Sequence, residues 1–122
     1  MYVVAVKDLS ALISTLSEDK QQRFVAAISH LLTVVARNYT YKLGTQDPDI
    51  NIAKLRVLNE MQHQLSSCLS KTFGEYPIIA AIEGIRQQAE QGGLLSQTNW
   101  AIKQTMSRFR KLTDQQLPPS TQ

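Results

Sequence analysis

The stretch Ile52–Phe73, IAKLRVLNEMQHQLSSCLSKTF, decides the fold class. Leu55, Leu58, Leu65, Leu69 and Phe73 recur at three-, four- and seven-residue spacing, flanked by Met61 and Thr72. At about 100° per residue this is one apolar stripe on a helix. The opposite side carries Arg56, Asn59, Glu60, His63, Gln64 and Ser67. A stripe of this length must be covered by other packed elements, and the flanking sequence supplies helices.

Upstream, Asp8 reads as an N-cap for a short helix, because Leu9, Leu12, Ile13 and Leu16 follow on one helical face. Ser17 reads as the next N-cap, with Glu18 and Asp19 at the positive end of the helix it opens. That second helix spans about Glu18 to Arg37, or on to Lys42. Phe24, Ile28, Leu31, Leu32, Val35 and Tyr39 share one side, and Ala26, Ala27 and Val34 widen the apolar surface. Gly44 and Asp47-Pro48-Asp49 mark the clearest break.

Downstream, Gly74 suits a left-handed position after the third helix, and Pro77 suits the first turn of a fourth. Ile78, Ile79, Ile82 and Ile85 or Ala89 form the fourth helix's apolar side, and Gly92-Gly93 stops it. A fifth helix covers about Leu95 to Leu112, with Ile102, Met106 and Phe109 in its stripe and Trp100 to one side. The expected fold is therefore all-α: a single-domain bundle of about five helices with a four-helix core. Residues 1–114 form the domain and residues 115–122 a flexible polar tail. The apolar start, MYVVAV, is expected as an arm over a neighbour, a strand paired across a dimer, or part of the first helix.

The composition excludes several classes. The chain has 122 residues, 43% of them hydrophobic, enough for a core that needs no disulfide or structural metal. Its one cysteine, Cys68, excludes an internal disulfide and reads as a small buried hydrophobe. No segment has the ~20 apolar residues of a membrane span, and MYVVAV lacks a basic start and a cleavage site, so a cytoplasmic location is expected. The net charge is +3, shared as +2, −1 and +2 over residues 1–45, 46–76 and 77–122. There is no block of like charge to mark a dedicated DNA-binding protein.

Three constellations stand out. Glu60 and His63 form E-x-x-H, which places both groups on one helix face, as in di-iron bundles. There is one copy, and it points some 140–160° away from the stripe. The face Asn59, Glu60, His63, Gln64 is thus expected as a solvated or interaction surface, with Glu60 and His63 weak metal candidates. His30, on the polar side of its own helix with Arg23, Thr33 and Arg37, is a possible neighbour of His63.

The second constellation lies in residues 85–106, where Ala89-x-x-x-Gly93, Leu94 and Ile102 share the spacing of DNA-binding helix-turn-helix pairs. The recognition helix would offer Gln97, Thr98, Asn99 and Lys103 to base edges. Two positions that such a unit buries fall on Gln88 and Asn99.

The third comprises two basic–aromatic clusters, Arg37-Asn38-Tyr39-Thr40-Tyr41-Lys42 and Lys103, Arg108, Phe109, Arg110, Lys111. Cations interleaved with rings can hold phosphates and stack on bases, although cations near a helix end also suit its dipole.

The sequence contains no Gly-rich phosphate loop, no H-E-x-x-H and no G-x-S-x-G. The expectation is a non-catalytic, cofactor-free interaction or regulatory module. It is expected to be homodimeric, because the wide apolar surface of the second helix exceeds what a small bundle covers. A nucleic-acid-binding regulator and a metal-dependent enzyme built on Glu60 and His63 are the alternatives.

Overall fold

The computed structural model describes residues 5–45, 47–69 and 74–116, with side chains as far as Lys111. Over these residues the chain is all-α: α1 (Val6–Ile13), α2 (Glu18–Tyr41), α3 (Pro48–Leu69), α4 (Glu75–Gln91) and α5 (Leu95–Gln116), with a 3₁₀ turn at Lys42–Gly44. The readings of MYVVAV up to Val4, of Thr72 and Phe73, and of the tail beyond Gln116 lie outside the described residues. α5 itself continues two residues into the stretch expected as tail.

Four helices form the core. α2 packs on α3 and α5, and α4 packs on the same two, so successive helices run around a square with short connections. α1 lies across α4 and α5 and closes one end. It places Leu9, Leu12, Ile13 and Leu16 in the core. Gln21 Nε2 holds the α1–α2 corner by donating to the carbonyls of Ile13 (3.3 Å) and Leu16 (3.2 Å). Ser10 Oγ meets the Glu75 carboxylate of α4.

The core stripes mostly follow the sequence pattern. Phe24, Ile28 and Leu32 of α2 are fully buried, as are Ile78, Ile82 and Ile85 of α4 and Ile102 of α5. Each large apolar side chain so buried contributes about 1.5–3 kcal/mol. Phe24 meets Phe109 edge to face at 5.3 Å, joining α2 to α5. In α3 the centre shifts. Leu58, Met61 and Leu65 are fully buried, while Leu55 and Leu69 are only partly so. Met61 is thus central rather than flanking. Of the residues that widen the apolar surface of α2, Ala27 packs on the core while Ala26 and Val34 stay exposed, as does Tyr41; Val25 is buried and Leu31 partly so.

The helix ends correct two expectations, at Asp8 and Gly74, while the expected break falls between Tyr41 and Pro48. Leu9 N donates to Ala5 O, so α1 starts before Asp8, which sits inside the first turn. Asp47-Pro48-Asp49 opens α3 directly: Asp47 Oδ1 accepts from Asp49 N at 3.0 Å, and Pro48 takes the first helical position, where its missing N–H costs nothing. Gly74 is extended (φ 162°, ψ 165°) and caps the start of α4 instead of ending α3 in a left-handed turn. Ser17 caps α2 as expected, accepting from Lys20 N at 3.4 Å.

The α4–α5 turn positions everything downstream. Gly93 is left-handed (φ 74°); Leu94 N donates to Ala89 O at 2.7 Å and Gly93 N to Glu90 O at 3.3 Å. These are the two bonds of a Schellman cap, with Ala89 and Leu94 fully buried as its apolar pair. Gly92 abuts α3: a Cβ there would lie 3.0 Å from Val57 Cγ2.

Candidate functional site: the groove between α2 and α5

Because α2 and α5 run antiparallel, the end of α2 faces the start of α5, and the start of α2 faces the last described turns of α5. Three shallow concavities follow this seam. The first, about 570 Å³, lies among Val34, Arg37, Asn38, Tyr41, Lys42, Gln97 and Trp100. The second, about 250 Å³, lies among Leu31, His30, Trp100, Gln104 and Arg108. The third, about 380 Å³, lies among Lys20, Arg23, Ala26, His30 and Arg108. Neighbouring concavities share Trp100 or His30 and Arg108 as common walls, so they form one groove.

The chemistry of the lining is one-sided. It includes Lys20, Arg23, Arg37, Lys42 and Arg108, and no carboxylate. Asp19 sits beside it and meets Arg23 Nε at 3.2 Å, but both side chains are largely exposed, so the pair neutralises little. Three of the exposed large apolar residues lie in the upper part of the groove: Tyr41 (82% exposed), Trp100 (43%) and Val34 (40%).

A buried ring fixes that end. Tyr39 is 8% exposed, its hydroxyl accepts from Gln97 Nε2 at 2.9 Å, and Lys42 Nζ and Lys54 Nζ each lie 5.4 Å from its ring centre. Lys54 also donates to Gly93 O at 3.1 Å, and Asn51, itself buried, donates to Lys42 O at 3.2 Å. The end of α2, the start of α3 and the α4–α5 turn are therefore tied together behind the groove.

The structure brings the two sequence clusters onto this seam in part. Arg37, Asn38, Tyr39, Tyr41 and Lys42 line it from one cluster and Arg108 and Phe109 from the other, with the Phe109 ring edge to face against Phe24. Lys103, Arg110 and Lys111 are exposed outside the lining. The sequence reading set Arg23, His30 and Arg37 on one polar side of α2 but joined neither them nor Lys20 and Trp100 to this site. A helical wheel of α2 adds Lys20 to that side, but Trp100 is reached only through packing of α5.

The α3 face is a different object. Asn59, Glu60, His63 and Gln64 are all exposed. Glu60 Oε2 accepts from Gln88 Nε2 of α4 at 2.8 Å, which directs the carboxylate toward α4. Among the described residues there is no group of three or more His, Cys, Asp and Glu side chains placed to hold a metal. His30 lines the α2–α5 groove and His63 does not, so the two are not partners in one site.

The helix-turn-helix reading is corrected. Its framework is present, with Ala89, Leu94 and Ile102 buried and Gly93 left-handed. Its reading face is not. Thr98 and Asn99 are buried (0% and 4% exposed) and Gln97 is engaged by Tyr39, leaving Lys103 as the exposed member. α5 uses that side to pack, so those groups cannot meet base edges. The Asn99 amide finds no hydrogen-bond partner on either atom among the described residues, and neither does Thr98 Oγ1. Arg86 of α4 is also buried, meets Glu83, and has its pKa pushed below the ordinary guanidinium value by desolvation. Cys68 is buried, as its place near the stripe predicts.

No helix among the described residues is long and apolar enough to cross a membrane. Comparison with protein-family models, with curated proteins and with solved structures gives no match.

Proposed function

We propose that the protein is a non-catalytic binding module of the cytoplasm that engages its partner through the α2–α5 groove. The observation that carries this reading is the coincidence, on one concave seam, of exposed Tyr41, Trp100 and Val34 with five cations and no lining carboxylate. Exposed aromatic and apolar side chains rimmed by charge are what binding surfaces present. The α3 face offers exposed amides, a carboxylate and an imidazole without such anchors.

The test is purification of the tagged protein from its host under native conditions, reading protein and nucleic acid together. Tyr41→Ala/Trp100→Ala is expected to release whatever copurifies, and Glu60→Ala/His63→Ala to retain it. The reverse pattern would move the site to α3.

Homodimerisation is the second reading. Ile50 and Ile52, 54% and 46% exposed at the start of α3, are apolar surface outside the groove that a second copy would cover. A monomer mass by light scattering at high micromolar concentration would exclude it.

A further inference from the structure

We infer that the ligand of the α2–α5 groove is a single-stranded nucleic acid, held by its phosphates and stacked on Tyr41 and Trp100. This rests on the groove being the binding surface and adds what occupies it.

Three features point to this occupant. The first is charge complementarity along the whole seam. Lys42 and Arg37 stand at one end, Lys20 and Arg23 at the other, and Arg108 reaches the lower part from α5. From Lys20 to Lys42 the helix rises about 33 Å at ~1.5 Å per residue. At the ~3.4 Å spacing of a stacked strand this matches up to about 10 phosphates. The charge thus stands in two groups along the seam, Arg37 and Lys42 at one end and Lys20, Arg23 and Arg108 toward the other, with Arg108 also lining the middle concavity.

The second feature is the state of the rings. Tyr41 is 82% exposed and Trp100 43%, so each presents ring surface to an incoming group. Sequence-tolerant single-strand binding combines such rings with a basic groove. An acidic peptide would satisfy the cations, but its apolar anchors would need recessed pockets. The floor here is shallow and made of small or half-buried side chains such as Ala26, Ala27 and Leu31.

The third is the loss of the duplex alternative. Two of the groups that would read a major groove, Thr98 and Asn99, are packed inside, so no recognition helix is offered. Asn38 and Gln104, which carry both donors and acceptors, line the seam instead.

The chain has one tryptophan, Trp100, and it lies in the groove, so its fluorescence reports occupancy directly. The experiment titrates the full chain with an oligo-thymidine of about 15 nucleotides, longer than the track. It is set beside the same sequence as a duplex and beside poly-glutamate, over a range of KCl. Quenching by the single strand is expected, with log K falling against log salt at a slope of about −3.5 if all five cations contact phosphates, at ~0.7 per contact. Arg37→Glu/Arg108→Glu should abolish binding. Lys7→Glu/Arg56→Glu makes the same change in net charge at exposed positions outside the groove lining and should leave at least half the affinity. Tyr41→Ala should weaken binding roughly 5- to 150-fold.

Equal affinity for poly-glutamate, abolished by the groove pair, would overturn the nucleic-acid assignment while leaving the groove as the binding surface. Tighter binding of the duplex would overturn the single-strand assignment. Equal losses from both charge-reversal pairs would overturn the groove itself. No binding at low salt would overturn the inference outright, leaving the copurification experiment to decide on the groove. Circular dichroism of each variant separates a lost site from a lost fold.

Discussion

The polar face of α3 and the groove between α2 and α5 both begin as hydrophilic helix surface, and they end as different things. On α3, Asn59, Glu60, His63 and Gln64 are exposed positions of one helix, and Glu60 accepts a hydrogen bond from neighbouring α4. In the groove, side chains from two distant segments converge on one concavity, with cations of one sign and exposed rings. A single helix presents functional groups on a convex surface. Concavity, which lets several groups contact one ligand, needs a second helix.

The strongest way to break this comparison is within α3. Met61 is fully buried beside exposed Glu60. Met61→Ala is expected to lower unfolding free energy by about 2–5 kcal/mol, read by urea denaturation. Glu60→Ala/His63→Ala should stay within about 0.5 kcal/mol. A large loss from the polar pair would mean that this face packs against something, a second copy included, and would restore it as an interface.

That contrast also marks what the sequence could tell. The stripe at Leu58 and Leu65, the Ser17 cap and the Gly92-Gly93 stop depend on neighbours within a few positions, and local spacing reports them. The groove joins Tyr39 to Gln97 across 58 positions, and nothing local encodes such a pairing. The E-x-x-H spacing was conspicuous because it is local, whereas Trp100 beside Arg37 was invisible until α2 and α5 packed. Asn99 was legible in part: it occupies a position that a helix-turn-helix would bury, and the fold does bury it.

Asn99 supplies the next prediction. Its amide is buried with neither atom paired among the described residues, an arrangement that costs about 1–3 kcal/mol. Asn99→Leu, of the same branched shape, should therefore raise the urea midpoint, by about 1–2 kcal/mol in unfolding free energy, and leave oligonucleotide affinity unchanged. A destabilised variant, or one with altered affinity, would make Asn99 part of a polar site running from the interior to the groove, and the separation of packing side from binding side in α5 would fail.

Effects of the same order are expected at the α4–α5 turn, which sets where Trp100 stands. Gly93 is left-handed, and a side chain there costs about 1–2 kcal/mol. Gly93→Ala should lose that much stability, and Gly93→Asn less, because Asn tolerates this conformation better. If the two cost the same, space and not backbone conformation governs the site, where a Cβ would approach Lys54 Nζ at 3.4 Å.

The smallest effect is expected at Tyr39, and it tests whether the groove's upper end is held from behind. The hydroxyl accepts from Gln97, and the ring lies 5.4 Å from both Lys42 and Lys54 ammonium groups. Tyr39→Phe removes the acceptor and keeps the ring, so both cation–ring contacts persist. The expected loss is about 0.5–1.5 kcal/mol, the net value of one hydrogen bond. Gln97→Ala should cost a similar amount, and the double variant less than the two together, because they break the same bond. Additive losses would show that the bond holds nothing. With coupling, oligonucleotide affinity should fall in Tyr39→Phe, although Tyr39 is buried and outside the proposed stacking pair, because Gln97 stands beside Trp100 in the lining and loses its anchor. The groove would then depend on a bond made by a buried ring in its wall, whereas the α3 face has a single exposed tie to its neighbour, the Glu60–Gln88 hydrogen bond.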